Sequence, residues 1–169
     1  MKKILNYAFA LCALLTLGVG SAVAQSQSGP VDNYGFLNAP DGTTWTYTAA
    51  FEKKYGDYTL HVEWRWIGEG TNSGLFQRVQ DGDKLWCTAI ECQLCSGKAG
   101  DYVMLGGAKI KEIECVGEFP VKDRIGDYEN PVGEWNTADI TCKGNVVKVK
   151  INGKEQNECT CDFTDGYIA

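Results

Sequence analysis

The sequence predicts an all-β fold, a sandwich or barrel of antiparallel strands. Three observations carry that prediction. Short runs of alternating apolar and polar residues recur at close spacing, separated by turns rich in Gly, Asn and Asp. Asn152-Gly153, with such a run on either side, is a strong signal for a type I′ hairpin. No stretch places its apolar residues at a sustained helical period, and no internal repeat is present.

Residues 1–24 read as a secretory signal peptide. Lys2 and Lys3 form a basic start, and Ala8 to Gly20 is an apolar run too short for a comfortable membrane span. Ala22-Val23-Ala24 supplies the small-x-small cleavage pattern. Cys12 lies within the apolar run, which argues against a lipoprotein anchor. Residues 25–42 form a polar lead-in, and residues 43–169 a single domain.

Within that domain, Thr44 to Thr48 alternates threonine with aromatic residues. Tyr58 to Ile67 is the clearest strand. Tyr58, Leu60, Val62, Trp64 and Trp66 share one face, and Thr59, His61, Glu63 and Arg65 share the other. Leu75 to Val79 and Leu85 to Leu94 follow as strands, separated by the turn Asp81-Gly82-Asp83. Tyr102 to Leu105 is a short apolar run, Ala108 to Gly117 a ragged strand, and Ile125 to Glu134 a loop. Trp135 to Cys142, Val146 to Ile151 and Lys154 to Asn157 then form an antiparallel meander. Trp64, Trp66, Val147, Val149 and Ile151 are the expected lining between two sheets.

Charge and cysteine content bound the function. The 169-residue chain has net charge −6, and loss of the signal removes two lysines and no acids. Such an acidic protein, with no basic cluster, is a poor partner for phosphate backbones, so nucleic acid is excluded as a ligand. After residue 24 nothing is long and apolar enough to span a bilayer as a helix, so an exported protein, periplasmic or extracellular, is expected. Seven cysteines follow the signal, and in an oxidising compartment some are expected to pair. Cys92-x-x-Cys95 and Cys159-x-Cys161 fit a zinc site only weakly, because the chain has one histidine. No cofactor is predicted. Asp81, Asp83 and Asp101 offer loop oxygens to a structural calcium ion, although without a defined ligand spacing.

The pattern points to one set of polar residues raised off the core. On the strand Ile90-Glu91-Cys92-Gln93-Leu94, Glu91 and Gln93 point together, away from Cys92 and Leu94. Phe76 and Arg78 share a face by the same alternation, opposite Leu75 and Val79. A carboxylate, an amide, a guanidinium and an aromatic ring on neighbouring strands suit a polar, ring-shaped ligand. Asn72 and Ser73 precede Gly74 in a turn, where they also have the bland role of bonding the backbone. His61 sits on the most regular strand and is read as solvent-facing and structural.

The run from Gly56 to Arg65 (Gly-Asp-Tyr-Thr-Leu-His-Val-Glu-Trp-Arg) resembles the first long strand of the 3-keto-disaccharide hydrolase family. Further landmarks follow in order: Asn72-Ser73-Gly74-Leu75-Phe76, Ile90 to Leu94, Gly133-Glu134-Trp135-Asn136, and Lys143-Gly144-Asn145 leading to Ile151-Asn152-Gly153-Lys154. The resemblance runs from about residue 45 to the C-terminus. It implies a concanavalin A-like jelly roll of two curved antiparallel sheets, with the ligand on the concave face. Two departures stand out. Cys95 and Ser96 replace the aspartate common after the Glu-x-Gln strand. The chain also stops at Gly166-Tyr167-Ile168-Ala169, where relatives continue into a further strand, so it reads as C-terminally truncated.

The activity implied by the resemblance is cleavage of 3-keto-glycosides. The 3-ketone acidifies the C2 proton, so a base removes it and the aglycone leaves from C1. On this reading Glu91 is the base and Arg78 the electrostatic stabiliser. Gln93, Asn72, Glu63, Arg65 and Phe76 would contact the carbohydrate or 3-keto-sugar. Three alternatives stand beside it. One is direct hydrolysis by paired carboxylates, Glu63 and Glu91, which requires a separation of about 5–10 Å. The others are a non-catalytic carbohydrate-binding module and a disulfide-linked envelope protein.

Overall fold

A computed structural model describes residues 53–80 and 86–169, together with the backbone of residues 37–38 and 44–45. The latter pair as a minimal hairpin of β1 (Leu37–Asn38) and β2 (Thr44–Trp45). The other strands make two four-stranded antiparallel sheets. The first contains β3 (Tyr58–Trp64), β8 (Asn136–Lys143), β9 (Val146–Ile151) and β10 (Lys154–Thr160), in the order β10-β9-β8-β3. The second contains β4 (Gly74–Gln77), β5 (Ala89–Gln93), β6 (Tyr102–Leu105) and β7 (Val121–Lys122), in that order. This is the all-β sandwich that the sequence predicts. The signal peptide, the polar lead-in and the turn acids Asp81 and Asp83 lie outside the described residues.

The first sheet alternates cleanly. Tyr58, Leu60, Val62 and Trp64 face inward, as do Ala138, Ile140, Val147, Val149 and Ile151 on the next strands. Thr59, Glu63, Lys148, Lys150, Glu155 and Glu158 are exposed on the outer side. The second sheet differs. Ile90, Cys92, Tyr102 and Met104 join the inter-sheet core, but the alternate residues Phe76, Ala89, Val103 and Leu105 are buried too. They form a second, smaller apolar cluster with Val79 and Cys87. Tyr-Val-Met-Leu, the whole of β6, contains no charged residue because both its faces are covered. A hydrogen bond of 2.7 Å from the Tyr58 hydroxyl to Gln77 Oε1 ties the two sheets together inside the core.

Turn chemistry follows the sequence at the β9–β10 hairpin. Asn152 (φ 50°) and Gly153 (φ 76°) both take the left-handed conformation that a type I′ turn requires. Asn152 also accepts the Thr137 N–H at 2.9 Å and donates to the Tyr128 carbonyl at 2.7 Å, fastening the turn to β8 and the 128 loop.

Several expectations are corrected. Ala108 to Gly117 is loop, touching the sheet through one bridge from Ile110 to Cys161. β7, two residues long, carries too little pattern to be seen in sequence. β10 continues to Thr160 past a bulge at Gln156. Cys92, Cys95, Cys115, Cys142, Cys159 and Cys161 are in no disulfide. Cys142 and Cys159 both neighbour Val147, from opposite sides. They are therefore two strand spacings apart, roughly 9–10 Å, beyond the ~7 Å that a bridge spans.

Candidate functional site

Glu91 lies in the middle of β5, opposite Phe76 on β4 and Val103 on β6. Strand alternation turns all three side chains away from the inter-sheet core. The carboxyl group lies directly over Gly74: a Cβ at that residue would meet Glu91 Oε1 at 1.8 Å and Cδ at 2.6 Å. Gly74 is thus needed for lack of a side chain rather than for an unusual backbone angle.

The electrostatics follow from these neighbours. Glu91 is 9% exposed, and among the described residues no hydrogen bond or ion pair reaches its carboxyl. Burial alone pushes its pKa from 4.5 up to about 7. A carboxylic acid in such a setting is half ionised near neutral pH and carries its charge, when ionised, without a counter-ion.

The structure brings together three of the sequence-predicted residues and sets a fourth beside them. Gln93 shares the face of Glu91, and its register partner is Gly74. Its Oε1 accepts the backbone N–H groups of Leu94 and Cys95, each at 3.1 Å, so the carbonyl end of the amide is committed to the turn. Phe76 packs beside Glu91 and joins the outer apolar cluster. Asn72 is exposed in the loop that enters β4, and that loop is bonded to the end of β5 by Leu94 N–H to Ser73 O at 2.8 Å and Ser96 N–H to Thr71 O at 2.9 Å.

Three others lie elsewhere. Arg78 is fully buried, with its guanidinium donating to the carbonyls of Tyr55 (2.9 Å), Gly56 and Gly144 (2.7 Å) and lying 5.4 Å from the Tyr58 ring centre. The expected alternation from Phe76 fails because Arg78 has left the strand: its φ is 56°. Its role here is to bind three loop carbonyls, one of them from the β8–β9 turn. Glu63 projects from the outer face of the first sheet, beside His61 and across the sandwich from Glu91. Arg65 lies just past β3, with its guanidinium 5.1 Å from the Trp135 ring centre.

His61 belongs to that same wet face. Its ring bonds Asp139 at 2.6 Å and Glu63 at 3.5 Å, and the Asp139 carboxylate raises its pKa above the usual value. Asp101, a suggested calcium ligand, is instead held by the Arg124 guanidinium at 3.2 Å and the Arg124 N–H at 2.8 Å. No cluster of three metal-ligating side chains occurs among the described residues. What sequence reasoning missed are the apolar walls. Ala89, Val103 and Leu105 desolvate the face of Glu91, and the unbroken apolar character of Tyr102 to Leu105 was the available signal.

The frame is an antiparallel two-sheet β-sandwich that bears a desolvated carboxyl, Glu91, on the outer side of one sheet. The chain belongs to the 3-keto-alpha-glucoside-1,2-lyase-like domain family, whose pattern matches residues 24–168. Two crystal structures from Parabacteroides distasonis ATCC 8503, both of proteins provisionally described as glycosyl hydrolases, are similar to it. One is 21% identical with a TM-score of 0.49, covering 64% of this chain and 53% of its own. The other is 19% identical with a TM-score of 0.49, covering 69% and 65%. The chain thus spans between about half and two thirds of the length of these structures. No curated protein matches it.

Proposed function

We propose that the chain is a carbohydrate-active enzyme that cleaves 3-keto-glycosides, with Glu91 as the general base. The observation that carries this reading is the buried, unpartnered Glu91 carboxyl with a pKa of about 7. Family membership supplies the substrate class. A 3-ketone draws electrons from the C2–H bond. The Glu91 carboxylate takes the C2 proton, and the bonding pair moves toward the C3 oxygen as an enolate. Return of that pair forms the C1–C2 double bond and breaks the bond from C1 to the aglycone oxygen, which receives the proton from Glu91. Addition of water at C1 completes hydrolysis.

The apolar walls contribute to the step. A carboxylate stripped of water is a stronger base than one in solution, and a pKa near 7 leaves a large share of it ionised at neutral pH. Gln93 on the same face, and Asn72 in the loop that leads to Gly74, are the proposed partners of sugar hydroxyls. With Arg78 committed to loop carbonyls, the enolate oxygen has no cation from the predicted set. That observation favours, as the second reading, a carbohydrate-binding module that holds sugars without turning them over.

One assay separates the two. A 3-keto-glucoside, such as methyl 3-keto-α-glucopyranoside, is incubated with wild type and Glu91→Gln, and aglycone release is followed. Loss of about 100-fold or more in kcat is expected for the variant, the usual scale for removing a general base. Release at near-wild-type rate by Glu91→Gln would remove Glu91 from the reaction. Saturable binding with no release by wild type would establish the module instead.

A further inference from the structure

We infer that the cleft between Trp86 and the 115–120 loop is a second sugar site, which takes one neutral pyranose ring. The cleft has a volume of about 290 Å³ and lies where β5 begins and β6 ends. None of the residues around Glu91 lines it. Glu91 is separated from it by the Ala89–Leu105 pair, roughly 10 Å along the strands.

Its walls combine two features that a sugar ring uses. Trp86 and Phe119 form an edge-to-face pair, ring centres 5.3 Å apart, yet remain 44% and 39% exposed. In such a pair, the ring that contributes its edge keeps its own faces free of its partner. A pyranose presents axial C–H groups to a flat aromatic face and hydroxyls around its rim. Lys109 and Glu118 also line the cleft, and neither has a hydrogen-bond or ion-pair partner among the described residues. One donor and one acceptor of opposite charge disfavour a ligand with net charge of either sign and suit a hydroxyl-rich neutral one.

The aromatic wall is also held in place. Gly106 (φ 57°) approaches the backbone of Trp86, Cys87 and Thr88 so closely that a Cβ would sit 2.7 Å from each. A volume of ~300 Å³ is at the lower end for small-molecule pockets, which limits the ligand to about one ring. The choice of a sugar over other neutral ligands rests on the carbohydrate class proposed above. The site itself rests on its own geometry.

The test uses methyl α-D-glucopyranoside, which lacks the 3-ketone and so cannot react at Glu91. Calorimetric titration of the full chain should give saturable binding in wild type. Trp86→Ala should weaken it by about tenfold or more, whereas Trp86→Phe should retain most of it. Half-buried Cys115 lines the cleft, so glucoside should also slow its alkylation by iodoacetamide, read peptide by peptide. Cys95, at the Gln93 end of the sheet, should label at its unliganded rate. The proposal is overturned if wild type shows no saturable binding or if Trp86→Ala binds like wild type. Protection of Cys95 in place of Cys115 overturns it as well. Aglycone release by Glu91→Gln, which would defeat the proposed function, leaves this result standing.

Discussion

Glu91 carries opposite consequences for activity and for stability. Its pKa is raised by burial from 4.5 to about 7, so the folded state holds its proton where the unfolded chain has lost it. Below about pH 4.5 both states are protonated and no penalty exists. Between about 4.5 and 7 stability falls as pH rises, and above 7 the full penalty of roughly 3 kcal/mol is present. Glu91→Gln keeps the shape and removes the charge. It should therefore melt at a higher temperature than wild type at pH 8 and close to wild type at pH 4.5, a contrast that thermal scans at the two values would expose. Base catalysis has the reverse pH dependence: kcat/KM on a 3-keto-glucoside should climb through about pH 7 and level off above it. A flat profile from pH 5.5 to 8.5 would contradict the assignment. Arg78 provides the contrast of a charged residue whose work is structural. Arg78→Met removes the donor from the Gly56 and Gly144 carbonyls and leaves the Tyr55 carbonyl its bond from the Gly166 N–H, so a loss of about 2–4 kcal/mol is expected in denaturant unfolding.

At the scale of the element, β4 and β5 show why some of the site could be read from sequence and some could not. Alternation alone put Glu91 and Gln93 on one face, and the register confirms their shared side, with Gly74 and Phe76 as partners. Alternation failed two residues later, because it assumes continued strand geometry and Arg78 turns left-handed. A non-glycine residue with positive φ leaves no mark in an apolar–polar pattern. The outer apolar cluster was hidden for a different reason. Burial of both faces of β6 comes from chain distant in sequence: Tyr167 and Ala169 pack against the cluster, and Phe76 and Ala169 exchange backbone bonds of 2.7 and 3.1 Å. Gly74 offers the sharpest test at this level. Gly74→Ala leaves the strand free to form, but its methyl would lie only 1.8 Å from Glu91 Oε1. The carboxyl must swing aside, so kcat should fall by about tenfold or more while KM changes less, as expected when a reacting group is misplaced by about 1 Å. Equal kcat in Gly74→Ala and wild type would mean that the carboxyl position does not matter.

Taken whole, the sandwich has two outer faces of opposite character, and they keep Glu63 and Glu91 apart. The sequence legibly placed Glu63 and Glu91 off the core, and both are, but a single strand's pattern does not say which sheet the strand will join. Pairing puts β3 beside β8 and β5 beside β4 and β6, in different sheets. Stacked sheets lie about 10 Å apart, and each carboxyl extends further from the outward side of its own sheet. The separation therefore exceeds the ~5–10 Å over which paired carboxylates share one glycosidic bond. Glu63 instead sits in the polar ladder of the first sheet, near His61 and exposed to solvent. Its contact with His61 is the kind of surface pair that contributes ~0–1 kcal/mol. Glu63→Gln is accordingly expected to keep aglycone release from a 3-keto-glucoside within about twofold of wild type, with little change in melting temperature. The decisive measurement is the double variant. If Glu63 and Glu91 act independently, Glu63→Gln combined with Glu91→Gln should be no slower than Glu91→Gln alone. A further fall of tenfold or more, or a loss in Glu63→Gln alone comparable to that in Glu91→Gln, would require the two faces to meet a common substrate, which the sheet arrangement forbids.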